Sequence, residues 1–116
     1  MADTTDLART VIAALNARDF TTLSARVQED VVLSGIGEGS DNGREALRDR
    51  FARYFQSSDE TYADALVMSD AAGQAVAIRV TAHGETAGGG TYSREKILLL
   101  EVDDGEITRV ALFNGS

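Results

Sequence analysis

The sequence contains no cysteine, which excludes disulfides, thiolate metal sites and cysteine nucleophiles. A redox-silent chain of this kind suits a cytoplasmic protein. Basic residues are scarce. Eleven Lys and Arg stand against nineteen Asp and Glu, a formal net charge of −8. A phosphate backbone must be met by clustered cations, so nucleic acid is not expected as a partner, and anionic membrane surfaces are disfavoured for the same reason. Apolar runs such as Ile97–Leu100 fall far short of the roughly 20 residues of a membrane span. The acidic start Met1–Asp6 lacks the apolar segment of a signal peptide. With one histidine and no cysteine, no metal site is expected. These absences describe a soluble, cytoplasmic chain, and 116 residues suffice for one domain, 1–116, and its core.

What is present is periodic. Leu7, Val11, Ala14 and Leu15 recur at helical spacing between Asp6 and Arg18. A short second helix is expected over 19–27, with Phe20 and Leu23 buried. Val31-Val32-Leu33 then reads as a strand. Residues 35–43 form a loop rich in glycine. A third helix spans 44–56, with Leu47, Phe51, Tyr54 and Phe55 on one apolar stripe. Asn42 and Glu45 have capping-box spacing at its start.

Beyond Glu60 the pattern changes to four strands, about 60–69, 74–86, 91–103 and 106–114. Short turns separate them, and Asp104-Gly105 is a tight-hairpin signal. Strands joined by such turns pair antiparallel. In 74–86, Val76, Ile78, Val80 and Ala82 face one side while Arg79, Thr81 and His83 face the other. Segregated helices and antiparallel strands define an α+β protein.

Three motifs in register then carry a resemblance. Residues 7–20 resemble the first helix and turn of SnoaL-like and ketosteroid-isomerase-like proteins, members of the nuclear transport factor 2-like superfamily. Gly43-Arg44-Glu45-Ala46-Leu47 resembles the start of their third helix, and Asp104-Gly105-Glu106-Ile107 the hairpin before their last strand. The resemblance implies a cone-shaped α+β barrel, three helices of the N-terminal half packed on a curved antiparallel sheet around an apolar pocket. It also implies a homodimer through the outer sheet face.

The fold hosts many reactions and also binders without activity, so function must be argued from individual residues. Steroid isomerases of this fold use an aspartate base and a tyrosine–aspartic acid oxyanion hole. By the resemblance those positions fall on Gly35, Val11 and Leu98, none of which moves a proton. Epoxide hydrolases of the fold need an aspartate near Leu112. Both activities are disfavoured, and whether the chain is an enzyme stays open.

The expected pocket wall comprises Val11, Leu15, Leu33, Phe51, Phe55, Val76, Ile78, Leu98 and Leu112. Asn114 shares parity with Leu112 and would point inward; it can orient a ligand carbonyl, or serve only its own strand end. Lys96 and Arg94 share parity with Leu98. A cation there would favour an acidic ligand, or its stem would snorkel outward. Tyr54 could send its hydroxyl to the cavity or to water. His83 lies on the opposite face. Arg50 reads as part of a solvated helix face with Arg44, Arg48 and Arg53.

The glycines of 35–39 lack the helix and parallel strands of a dinucleotide site, so no cofactor is expected. Two readings remain. One is a pocket that binds, or transforms without cofactor, a small apolar carbonyl-bearing molecule. The other is a non-enzymatic module for dimerisation and for ligand or protein binding.

Overall fold

The computed structural model describes residues 4–37, 39–86 and 88–114. In chain order its elements are α1 (Thr4–Ala17), α2 (Phe20–Ala25), β1 (Val27–Ser34), α3 (Arg44–Ser57), β2 (Asp59–Ser69), β3 (Ala75–Glu85), β4 (Thr91–Asp103) and β5 (Glu106–Asn114). The order is that expected from the periodicities, with β1 starting earlier than its apolar triplet.

Leu7, Ala8, Val11, Ala14 and Leu15 form the buried stripe of α1. The helix ends in a paired cap: Arg18 N–H donates to Leu15 O and Asp19 N–H to Ala14 O. Arg18 takes the left-handed conformation there, with φ of 58°. Its guanidinium justifies that strain by binding Leu15 O, Asp59 Oδ1 and Glu60 O, and by stacking over Phe55. Asp19 caps α2 by accepting from Thr22 N–H.

The capping box expected at α3 does not form. Gly43, with φ of 105°, occupies the cap position without a side-chain bond. Asn42 therefore lies one residue too early, and its Oδ1 instead accepts from Leu33 N–H on β1.

The five strands form one curved, unclosed sheet in the order β1-β5-β4-β3-β2. Strands β2 to β5 pair antiparallel as their short turns require, whereas β1 pairs parallel with β5. The sheet is thus mixed rather than wholly antiparallel. No short turn joins β1 to β5, so nothing in the local chain dictates their relative direction.

Two irregularities adjust the faces. Asp64, with φ of 56°, sits in a bulge where β2 runs from Ala63 to Leu66 against Thr81 and Arg79. In β5 the register slips at Thr108, so that Ile107 and Val110 both reach the core. The helices cover the face bearing Val76, Ile78, Val80, Leu98, Leu100, Val110 and Leu112, and this layer is the core.

Candidate functional site

The inward positions of three adjacent strands are in register. Glu60 on β2 lies opposite Gly84 on β3, which lies opposite Tyr92 on β4. Tyr62 faces Ala82 in the next row, and Val80 faces Lys96 in the row after it. Small residues in the middle strand let side chains from its two neighbours meet above it. Gly84 is the clearest case: a Cβ there would come within 2.4 Å of the Tyr92 ring.

The residues that meet are all three tyrosines of the chain, its only lysine and Glu60. Glu60 is completely buried and Lys96 is 4% exposed. Lys96 Nζ lies 2.9 Å from Glu60 Oε2 and 3.0 Å from Oε1. Tyr92 donates to Oε1 at 2.5 Å, while Tyr62 at 2.8 Å and Tyr54 at 3.0 Å donate to Oε2. Lys96 Nζ also donates to Tyr54 Oη at 2.5 Å.

The neighbouring helix end places this cluster. Arg18 binds the Glu60 carbonyl. Asn16 exchanges two hydrogen bonds with the backbone of Tyr62, its Nδ2 donating to Tyr62 O and its Oδ1 accepting from Tyr62 N–H. The last turn of α1 thereby pins the segment of β2 that supplies the carboxylate.

Burial alone would push the Glu60 carboxyl up. Hydrogen bonds from Tyr92, Lys96 and Tyr62, with the charge of Lys96, outweigh it and hold Glu60 below the ordinary carboxylate value. The tyrosines shift oppositely. Burial, then the charge of Glu60, raises Tyr54 and Tyr62 well above the ordinary phenol range. Burial, then the hydrogen bond to Glu60, raises Tyr92 to about 12. At neutral pH the cluster is thus one carboxylate surrounded by protonated donors. A carboxylate so saturated is a poor base.

Sequence reasoning singled out Lys96 and Tyr54, which the structure brings together, but not Glu60 or Tyr92. The available signal was the alternation Glu60-x-Tyr62 and Tyr92-x-Arg94-x-Lys96. Arg94 remains exposed, with its guanidinium over the Tyr92 ring. Asn114 pairs in register with Lys96 but is exposed at the end of β5. Parity assigns a face and says nothing of what covers it. His83 is exposed and bonded through Nδ1 to Ser93 Oγ.

Val11, Leu15, Leu33, Phe51, Phe55, Val76, Ile78, Leu98 and Leu112 are all buried in the core. Leu15, Phe51, Leu98 and Leu112 border an apolar hollow with Ile12, Tyr62 and Val80, and it has no space that a water molecule can enter. Gly35 cannot carry a base. Its φ is 73°, and a Cβ would lie 2.1 Å from the carbonyl oxygen of Leu112.

Space exists beside the cluster. A cleft of about 380 Å³ is lined by Gly37, Arg50, Arg53, Tyr54 and Ser57. Another, of about 430 Å³, runs past Tyr92, His83, Ser93 and Asp59. Among the described residues no group of three or more His, Cys, Asp or Glu could hold a metal ion, and no helix is long and apolar enough to cross a membrane.

The helices on a curved, unclosed five-stranded sheet define the cone-shaped α+β fold of the nuclear transport factor 2-like proteins. Within that class the chain belongs to the SnoaL-like domain family, whose model matches residues 8–110.

Solved structures agree. A candidate polyketide cyclase from Pseudomonas putida KT2440 is 26% identical with a TM-score of 0.89, covering 99% of this chain and 93% of its own. Another, from Xanthomonas campestris pv. campestris, is 27% identical with a TM-score of 0.87, covering 96% of this chain and 89% of its own. A Mycobacterium tuberculosis protein in complex with estradiol-17beta-hemisuccinate is 21% identical with a TM-score of 0.74, covering 90% of this chain and 88% of its own. No curated protein matches the sequence.

Proposed function

We propose that the chain, as a single SnoaL-like domain, binds a small carbonyl-bearing molecule in the cleft beside Tyr54 and polarises its carbonyl. The carrying observation is that Tyr54 borders the cleft while its hydroxyl accepts from the Lys96 ammonium at 2.5 Å. Glu60 receives four donor groups through five contacts. A carboxylate offers about four lone-pair sites, so one of the five contacts is surplus. Oε2 receives three of them, and Tyr54 makes the longest of these, at 3.0 Å. Its proton can turn to a ligand oxygen while Tyr62, Tyr92 and Lys96 keep the carboxylate satisfied.

The site supplies donors and no free base, which supports binding and polarisation over proton abstraction. That the fold accommodates carbonyl compounds is illustrated by the steroid hemisuccinate complex of the mycobacterial protein. The absence of cysteine supports a cytoplasmic setting.

A thermal-shift and calorimetric screen of hydrophobic ketones tests the reading. A ligand that binds should lose about tenfold in affinity on Tyr54→Phe, the scale of one hydrogen bond. A folded Tyr54→Phe protein that binds the same ketone as tightly as the wild type would refute it.

The outer sheet face supports a second element, a homodimer. Leu66, Met68, Ile97, Phe113 and Val32 are its exposed large apolar residues. Leu66, Arg79, Ile97 and Phe113 form one row across four strands, and Met68, Ala77, Leu99 and Ala111 the next. Arg79 stands within the first row, Glu95 lies one row beyond it at one margin, and the Glu101–Arg109 ion pair lies at the other. A face with two largely apolar rows and charges of both signs can complement a second copy of itself across a two-fold axis. Sedimentation at micromolar concentration should show a dimer that Ile97→Asp dissociates. A wild-type monomer at that concentration rules it out.

A further inference from the structure

The cleft beside Tyr54 has a second chemical feature. Its wall is one stripe of α3, formed by Arg50, Arg53, Tyr54 and Ser57 at i, i+3, i+4 and i+7. Arg50 is 4% exposed, yet among the described residues its cation is not met by an anion. Nε donates to Ile36 O at 3.1 Å and Nη1 to Asp41 O at 3.0 Å. Among the described residues neither Arg50 nor Arg53 makes a salt bridge.

Both guanidiniums border the same point of the loop at Gly39. A Cβ placed on Gly39 would lie 3.8 Å from Arg50 Nε and 4.0 Å from Arg53 Nη2. Two like charges gathered in a cleft, one of them buried, are costly unless an anion joins them. The chain carries a formal net charge of −8, yet among the described residues no carboxylate forms a salt bridge with either arginine. A guanidinium has five N–H donors in a planar fork suited to a carboxylate. Two of those on Arg50 are used by backbone carbonyls, leaving three.

We propose that Arg50 and Arg53 bind the carboxylate of the ligand whose carbonyl meets Tyr54, so that the natural ligand is a small oxo acid. The inference rests on the Tyr54 reading for the position of the carbonyl. It adds the second anchor, a carboxylate on the carbonyl-bearing ligand. Arg50 supplies the fixed part of the anchor because backbone carbonyls hold it. Arg53, exposed on the rim, supplies the part that closes on the ligand.

The test compares 4-oxo-4-phenylbutanoate with its methyl ester by calorimetry on the whole chain. The acid should bind about tenfold more tightly than the ester, the scale of a charge-assisted hydrogen bond. Arg53→Gln, an exposed substitution that leaves the core alone, should remove that preference. Added salt should weaken the acid and not the ester.

Equal affinity for acid and ester, with both lost in Tyr54→Phe, would overturn the arginine anchor and leave the carbonyl site standing. Acid binding lost in Arg53→Gln but kept in Tyr54→Phe would uphold the anchor and overturn the role of Tyr54. Failure of both compounds to bind at millimolar concentration would overturn both.

Discussion

Lys96 Nζ lies 2.9 Å from Glu60 Oε2 with both side chains essentially removed from water, at 4% and 0% exposure. The chain has a single lysine, and among the described residues its ammonium is met by this carboxylate and the hydroxyl of Tyr54. Desolvating two charges is expensive, and the attraction between them offsets that cost only when their remaining hydrogen bonds are satisfied. The tyrosines provide that satisfaction.

Removal of one partner leaves a buried charge alone. Lys96→Met should therefore cost about 3–5 kcal/mol in urea unfolding. The double variant Lys96→Met, Glu60→Gln should recover most of that loss, because a neutral amide no longer needs a counter-ion. Equal destabilisation of the single and double variants would show that the pair is not coupled.

The tyrosines give a spectroscopic test, made clean by the absence of tryptophan. All three phenols are raised above their ordinary value of 10, Tyr92 to about 12. A raised phenol contributes stability that is complete below pH 10 and is lost as pH climbs through the folded value. Phenolate absorbance near 295 nm should thus be nearly absent from the folded chain at pH 10 and appear on unfolding. A phenol half ionised at pH 10 in the folded chain would mean that it stands outside the network.

The carboxylate acts at the other end of the pH scale. Glu60 is held below its ordinary value of 4.5, so its contribution is present above that pH and fades as pH falls through the folded value. Tyr92→Phe removes one of the bonds that lower it. Acid unfolding of that variant, followed by circular dichroism, should begin at a higher pH than in the wild type. An unchanged onset would show that the Tyr92 bond contributes nothing to the ionised form.

Gly84 is predicted to matter through Tyr92 alone. A Cβ at Gly84 collides with the outer end of the Tyr92 ring, and the ring can swing away by giving up Glu60. Gly84→Ala and Tyr92→Phe should each cost about 1–2 kcal/mol, the range of a hydrogen bond to a charged group. Combined, they should cost little more than either alone, since both break the same bond. Simple additivity would place the effect of Gly84 elsewhere.

The sequence by itself determined the local elements and their faces. The stripe of Leu7, Val11, Ala14 and Leu15 marked α1, and the alternation in β3 separated a buried side from an exposed one. Asp104-Gly105 placed the last hairpin, and the parity of Lys96 with Leu98 put the two on one face while leaving open whether the lysine stem turned inward or snorkelled out. Each of these follows from a period of 3.6 or 2 within one segment.

Only the tertiary structure decided which inward residues meet. Glu60 stands 36 residues before Lys96, and no local period relates them. Their encounter depends on the β2–β3–β4 register and on the missing side chain of Gly84. The parallel pairing of β1 with β5 is likewise set by packing, because no turn connects them. Arg50 shows the same division. Its helical position allowed a solvated face, and the carbonyls of Ile36 and Asp41, from the loop that folds back over α3, made it a buried cation instead. Periodicity fixes the direction of a side chain, while its chemical partners come from chain segments that only the folded structure brings near.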